Sequence, residues 1–322
     1  KRFFAASTWE FNSLSEAACI PRTYSYAWHR LRAARNNPAR VSSFTALALA
    51  PGALKTGTPR PLILMFPLLG NSTFLMCDFA TAFVRQGFNA AIVMRKDLEF
   101  DPDRSLELAE EELRIVVMRG KQALDWLVTQ PDVDTSRMGM FGMSAGGMLG
   151  IDMLAAEPRL GPGVFIWAGG PMADVIVETV EDPMAENMAD LITNHGWTRD
   201  GVREHLRAKI RTDPIVLAPL VDRDNILLFT ASDDDSVPTR LQEGLWEALG
   251  QPERHELMGG HYTAFGAFCP FIIVKTKQFF RSRLKCAAPP ASRTPAVRQP
   301  PVEQPTSSGQ PATLTGCARG SG

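Results

Sequence analysis

Two short runs, Pro61-Leu-Ile-Leu-Met-Phe-Pro67 and Asn89-Ala-Ala-Ile-Val-Met-Arg95, are apolar at every interior position. A strand with one wet face alternates apolar and polar residues. An unbroken run needs cover on both faces, which is the situation of a central strand in a parallel sheet. Helix-length stretches accompany these runs. Phe74 to Arg85 has an amphipathic period, and Ser105 to Thr129 repeats Leu106, Leu108, Leu113, Val116, Val117, Ala123, Leu124 and Leu127 at helical intervals. Further strand-like runs are Arg40 to Ala50, Arg137 to Phe141, Gly163 to Ala168, Asn225 to Thr230 and His255 to Met258. The alternation predicts an α/β fold, with a doubly wound, mostly parallel sheet covered by helices on both faces.

Composition narrows the function classes. With 322 residues, 45% hydrophobic and 21% charged, the chain can bury a large core as one big α/β domain or two small ones. Its formal net charge of -1 gives no electrostatic attraction for nucleic acid or an anionic membrane, so a small-molecule substrate is expected. The apolar runs are too short to cross a bilayer. Cys19, Cys77, Cys269, Cys286 and Cys317 are scattered, with no C-x-x-C pair and no histidine at ligand spacing, so neither a metal site nor a cofactor is expected. The sequence starts at Lys1, so any leader lies outside it, and a soluble, cytoplasmic protein is the working expectation. Oligomeric state has no signature here.

Three segments depart from the strand-helix alternation. Residues 1 to 36 carry Tyr24, Trp28 and Leu31 at helical spacing and are expected to form an extension packed on the side of the domain, which itself runs from 37 to 284. Pro171 to Asp222 exceeds an ordinary connection, is rich in helix formers and contains Met172, Met184 and Met188; it is expected to form a helical cap over the active site. From Lys285 to Gly322, prolines interleave with Ser, Thr, Gln and Gly while bulky apolar residues nearly vanish, the composition of a disordered tail.

The chemistry concentrates in Met140-Phe-Gly-Met-Ser-Ala-Gly-Gly147, where Gly142-Met-Ser-Ala-Gly146 fits the G-x-S-x-G nucleophile elbow between a strand-like run and a helix-like run. The flanking glycines permit a sharp reversal that exposes the hydroxyl of Ser144, and the N–H of Ala145 opens the next helix facing any oxyanion formed there. A serine hydroxyl needs an imidazole to accept its proton and a carboxylate to orient the imidazole. Ala231-Ser-Asp-Asp-Asp-Ser-Val-Pro238 and Gly259-Gly-His-Tyr-Thr263 supply both types after later strands, at the edge where open α/β sheets build sites. The residues leave the acid open among Asp233, Asp234 and Asp235, with Asp174 as a rarer arrangement. His261 is the base, whereas His29, His195, His205 and His255 fall within predicted elements or their connections.

With Ser144, the aspartate cluster and His261 in this order, the chain from about Val41 to Leu284 resembles the α/β-hydrolase superfamily. Its D-x-x-V-P loop is similar to the acid loop of dienelactone-hydrolase-like, acetyl-esterase-like and prolyl-oligopeptidase-like members, where the acid sits three residues before the valine. That resemblance implies Asp234. It also implies a second oxyanion amide just after the Pro61 to Phe66 strand, at Leu68 or Leu69, although Pro67-Leu-Leu-Gly70 lacks the H-G-G-G sequence of many lipases. The resemblance implies a carboxylesterase-like serine hydrolase acting through an acyl-enzyme on a small ester, and the methionines of the expected cap point to an apolar part in that ester. The alternatives are a peptidase resembling the prolyl-oligopeptidase catalytic domain, which lacks an obvious acidic site for a substrate amino terminus here, and a noncatalytic ligand-binding protein of the same fold.

Overall fold

The computed structural model describes residues 27–31, 45–49, 57–69, 73–94 and 105–284. An eight-stranded sheet forms its centre, in the order β1 (Ala27–Leu31), β2 (Thr45–Leu49), β4 (Asn89–Met94), β3 (Arg60–Phe66), β5 (Val133–Met143), β6 (Gly163–Ile166), β7 (Ile226–Ala231) and β8 (Glu253–Leu257). From β4 to β8 the pairing is parallel throughout, while β1 and β2 join antiparallel at one edge. The mostly parallel sheet expected from the unbroken apolar runs is therefore present. The helical reading of the N-terminal segment is corrected: Trp28 and Leu31 belong to strand β1, paired with β2, and Tyr24 lies outside the described residues. Pairing with a neighbouring strand overrides a local helical spacing of three residues. The Pro-rich tail also lies outside the described residues.

Side-chain alternation sends each parallel strand's residues into two cores. Leu62, Leu64 and Phe66 of β3 face one side with Met140 and Phe165, and Ile63 and Met65 face the other with Phe141, Val164 and Phe229. On the first face lie α2 (Ser105–Leu127), α3 (Ala145–Ala156) and α8 (Thr239–Ala248); the second is covered by α1 (Thr73–Arg85) and α9 (His261–Leu284). Phe79, Phe83, Phe141 and Phe280 meet in tilted and edge-on contacts beneath that second cover. Burial of each such ring contributes about 1.5–3 kcal/mol. Along α2 the predicted stripe is buried except Leu108, which is 36% exposed.

Between β6 and β7 the chain makes a helical excursion: α4 (Met172–Glu178), α5 (Asp182–Thr193), α6 (Arg199–Lys209) and α7 (Pro214–Leu217), then 3₁₀ turns at Ala218–Leu220 and Arg223–Asn225. Its Met172, Val175, Met184, Met188, Val202 and Leu206 join the core of the first face. Carboxylates fasten its base. Asp213 accepts the backbone N–H of Met172 at 2.7 Å and that of Ile215 at 2.9 Å, tying the excursion's exit to its entry. Glu110 of α2 accepts the N–H groups of Arg211 and Thr212 at 2.7 and 2.9 Å.

Helix α3 runs buried from Gly146 to Leu154, and Asp152 is carried inside with it. Neither of its oxygens has a hydrogen-bond partner among the described residues. Burial, followed by the Asp213 and Glu110 carboxylates, pushes its pKa well above the usual carboxylate range. The folded state thus holds this proton more tightly than the unfolded chain, and stability falls as pH rises from about 3.9 toward the raised folded value. Asp152→Asn, neutral at every pH, is expected to have a higher unfolding free energy than the parent near pH 8 and to match it near pH 4. Urea titrations at the two pH values check this; a variant less stable at both would refute the account.

Candidate active site

Strand β5 ends at Met143 and α3 begins at Ala145, leaving Ser144 alone to reverse the chain. It does so at φ 53 and ψ -124, a conformation that costs a non-glycine residue on the order of 1–3 kcal/mol. Its N–H donates to Ile166 O at 2.7 Å and its carbonyl accepts from Gly147 and Met148, which fix the turn at both ends. The elbow glycines are demanded by contact. A Cβ on Gly142 would lie 2.2 Å from Gly146 O, and one on Gly146 would lie 2.3 Å from the carbonyl oxygens of both Phe66 and Pro67. Those carbonyls lie just before Leu68 and Leu69 in the chain, the Pro67 one in the peptide bond to Leu68, so the segment after β3 is pressed against the start of α3. Leu69 lines a cleft together with Ser144 and Ala145, whereas Leu68 packs toward the core on the opposite face. Ala145, at the first helical position, has an N–H without an intrahelical acceptor.

After β7, the three aspartates separate by environment. Asp233 and Asp235 are exposed; Asp234 is buried. Asp234 Oδ1 accepts the backbone N–H groups of Ser236 and Val237 at 2.9 Å each, and Oδ2 accepts Gln242 Nε2 at 2.9 Å and contacts His261 Nδ1 at 2.8 Å. The D-x-x-V-P spacing has a local cause: a turn at Asp235 and Ser236 folds two amides back onto one carboxylate oxygen. His261 starts α9, held by a loop in which Gly259 has φ 111 and a Cβ on Gly260 would lie 3.0 Å from Asp233 O. The two loops are joined directly, since Asp233 N donates to Gly259 O at 3.1 Å and Gly259 N to Ser232 Oγ at 3.1 Å.

Three contacting residues were missed from sequence. Gln242, fully buried on α8, donates to both Asp234 Oδ2 and Val237 O and accepts the N–H of Ala231 at 3.1 Å. Trp167, at φ 52 where β6 ends, lays its ring 5.0 Å from the His261 ring. Glu181, between α4 and α5, lines the cleft beside Ser144 and bonds Ser236 Oγ and Tyr262 OH. No sequence pattern marks a lone Gln, Trp or Glu of this kind. Asp174 is engaged elsewhere, accepting Arg203 at 3.0 Å and Arg207 at 2.8 Å within the excursion. Of the other histidines, His29 lies on β1, His205 on α6 and His255 on β8, while His195 follows α5. Met172 and Met184 do line the cleft, with Met148 and Val175.

No protein-family model matches the sequence. An uncharacterized Bacillus subtilis protein, YdjC, is 38% identical over 50 residues, covering 16% of this chain and 43% of its own length. Solved structures reach further. A cold-adapted esterase from an Arctic intertidal metagenomic library superposes with a TM-score of 0.55 at 17% identity, over 82% of this chain and 96% of that one. An acylaminoacyl peptidase from Pyrococcus horikoshii gives 0.56 at 14% identity, over 83% of this chain and 43% of that one. The protein has the α/β-hydrolase fold. In this fold protein, the sheet order and the elbow after β5 agree with the resemblance read from the sequence, and no helix among the described residues is long and apolar enough to cross a membrane.

The asymmetry among the aspartates can be measured. Gln242→Leu strips a donor from Asp234 and leaves the Ala231 N–H and Val237 carbonyl unpaired, and is expected to cost about 2 kcal/mol or more of unfolding free energy. Asp233→Ala and Asp235→Ala, at exposed positions, are expected to stay within about 0.5 kcal/mol of the parent. Chemical denaturation of the three variants distinguishes them.

Proposed function

We propose that the protein is a serine hydrolase that cleaves a carboxylic ester through an acyl-enzyme, with Ser144 as nucleophile, His261 as base and Asp234 as the acid behind it. The observation that carries this reading is the 2.8 Å contact between Asp234 Oδ2 and His261 Nδ1, made by side chains 0% and 5% exposed. An ionised carboxylate can only accept, so Nδ1 carries the proton and Nε2 is left with its lone pair as a base. Trp167 and the short loop at Gly259 and Gly260 restrict how the imidazole can turn.

In the first half-reaction Ser144 Oγ adds to the ester carbonyl carbon while its proton moves to His261 Nε2. The oxyanion is received by the Ala145 amide and by an amide of the segment after β3, with Leu69 favoured over Leu68 because it shares the cleft with Ser144 and Ala145. The carbon–oxygen bond to the alcohol then breaks, the alcohol oxygen takes the proton from Nε2, and the acyl group stays on Ser144. Water repeats the cycle: it gives a proton to Nε2, adds to the acyl carbon and expels Ser144 Oγ, which recovers the proton. Each oxyanion donor contributes about 2.7–4 kcal/mol to such steps. The apolar wall of Met148, Met172, Val175 and Ile176 supports a substrate with an apolar part, and the excursion that supplies much of it acts as the cap.

A fluorophosphonate probe is expected to label the parent protein on Ser144, and Ser144→Ala is expected to abolish labelling and p-nitrophenyl ester turnover with an unchanged circular dichroism spectrum. His261→Ala is expected to lower kcat by about 10⁴ or more. Absence of labelling in the parent, or persistence in Ser144→Ala, would overturn the assignment.

A further inference from the structure

The excursion is rich in carboxylates, and the two on α4 are matched by cations. Asp174 is held by Arg203 and Arg207, and Glu178 by Arg203 and Arg240. Glu181 differs. It accepts Ser236 Oγ and the Tyr262 hydroxyl, at 2.9 Å to Oε1 and 2.8 Å to Oε2, and has no ion pair among the described residues. Both partners are neutral, so they orient the carboxylate without cancelling its charge. Burial, and then the hydrogen bond to Glu181, raise the Tyr262 pKa, so the phenol stays a donor.

The position of that charge gives it a use. Glu181 lines the same cleft as Ser144, Ala145 and Ser236, and most of the remaining wall is apolar, with Met148, Met172, Val175 and Ile176. A partly buried anion against apolar surface has lost hydration that two hydroxyls restore only in part, and a cation that enters beside it recovers the difference. Two hydroxyl protons occupy two of about four acceptor positions on a carboxylate, leaving room for an N–H donor.

We propose that Glu181 is the specificity residue of this cleft and selects substrates that carry a protonated amine alongside an apolar chain. The assignment rests on the hydrolase reading for the word substrate, while the binding preference stands without it. It also supplies the acidic contact for an amino group that the sequence did not reveal, and so admits amino-acyl esters and amides to the same site.

The test separates the two readings. Binding of n-hexylammonium and of 1-hexanol is measured by calorimetry on the full chain, for the parent, Glu181→Gln and Tyr262→Phe. Gln keeps an oxygen for the two hydroxyls and removes the charge; Phe removes one hydroxyl and keeps the charge. The parent is expected to prefer the ammonium on the order of tenfold, Glu181→Gln to bring the ratio close to one, and Tyr262→Phe to retain most of the preference. Equal binding of both compounds by the parent, or a preference that survives Glu181→Gln, overturns the proposal. Turnover of p-nitrophenyl 6-aminohexanoate and p-nitrophenyl heptanoate is then compared. A binding preference without turnover of either ester upholds the ammonium site and sinks the hydrolase reading; turnover of both at equal kcat/KM, with equal binding, does the reverse.

Discussion

Backbone meets backbone where β3, β5 and α3 converge, and the rest of the site depends on that contact. Gly146 comes so close to the Phe66 and Pro67 carbonyls that a single added carbon would overlap both. Only this approach lets α3 enter directly behind the central strands, with Ser144 at its mouth in a positive-φ turn. The same approach brings the Leu69 segment to the side of Ser144. Helix α3 is therefore enclosed on all sides, which its apolar sequence Met148-Leu-Gly-Ile151 suits and its Asp152 does not. The destabilised carboxyl follows from the helix's placement and not from its local sequence.

Two buried aspartates show how far position decides the behaviour of one side-chain type. Asp234 meets four donors within 2.9 Å, two of them amides of its own turn. Asp152 meets none among the described residues and faces two other carboxylates. Fully bonded buried groups specify a single arrangement, because any displacement strands several polar atoms at once. The Asp234 network has that property: Gln242 spans Ala231, Val237 and Asp234, so the end of β7, the acid loop and α8 are fixed as one unit.

Much of the fold was legible because its signals are local. Unbroken apolar runs identified β3 and β4, and glycine spacing identified the elbow, since both reflect demands on the backbone at those residues. The turn before His261 was legible for the same reason: Gly259 and Gly260 stand where the chain needs φ 111 and a close approach. The distinction of Asp234 from its neighbours came from family likeness, and its physical basis, two amides folding back on one carboxylate, is a turn geometry that Asp-Asp-Asp does not encode uniquely. Leu69 and Leu68 could not be separated, because amide direction after β3 is set by contact with α3. Trp28 and Leu31 misled, since a three-residue spacing reads as one helix face until a partner strand is known. Gln242 and Trp167 act across distant contacts, and nothing adjacent to them in sequence hints at either role.

Charge placement in the helical excursion completes the physical picture. Its base is closed by carboxylates that bind backbone N–H groups, Asp213 to Met172 and Glu110 to Arg211 and Thr212. Its interior is crossed by Asp174 and Glu178 with their arginines, pairs that organise the helices relative to each other. At the mouth, where the excursion reaches the loops of Asp234 and His261, the bonds are made by hydroxyls to Glu181. The partners change along this series, from amides to guanidinium groups to neutral hydroxyls, and the end bonded by hydroxyls opens beside Ser144. A carboxylate bonded by neutral hydroxyls keeps its charge, and at this end of the excursion that charge lines the cleft, where its field favours a cation.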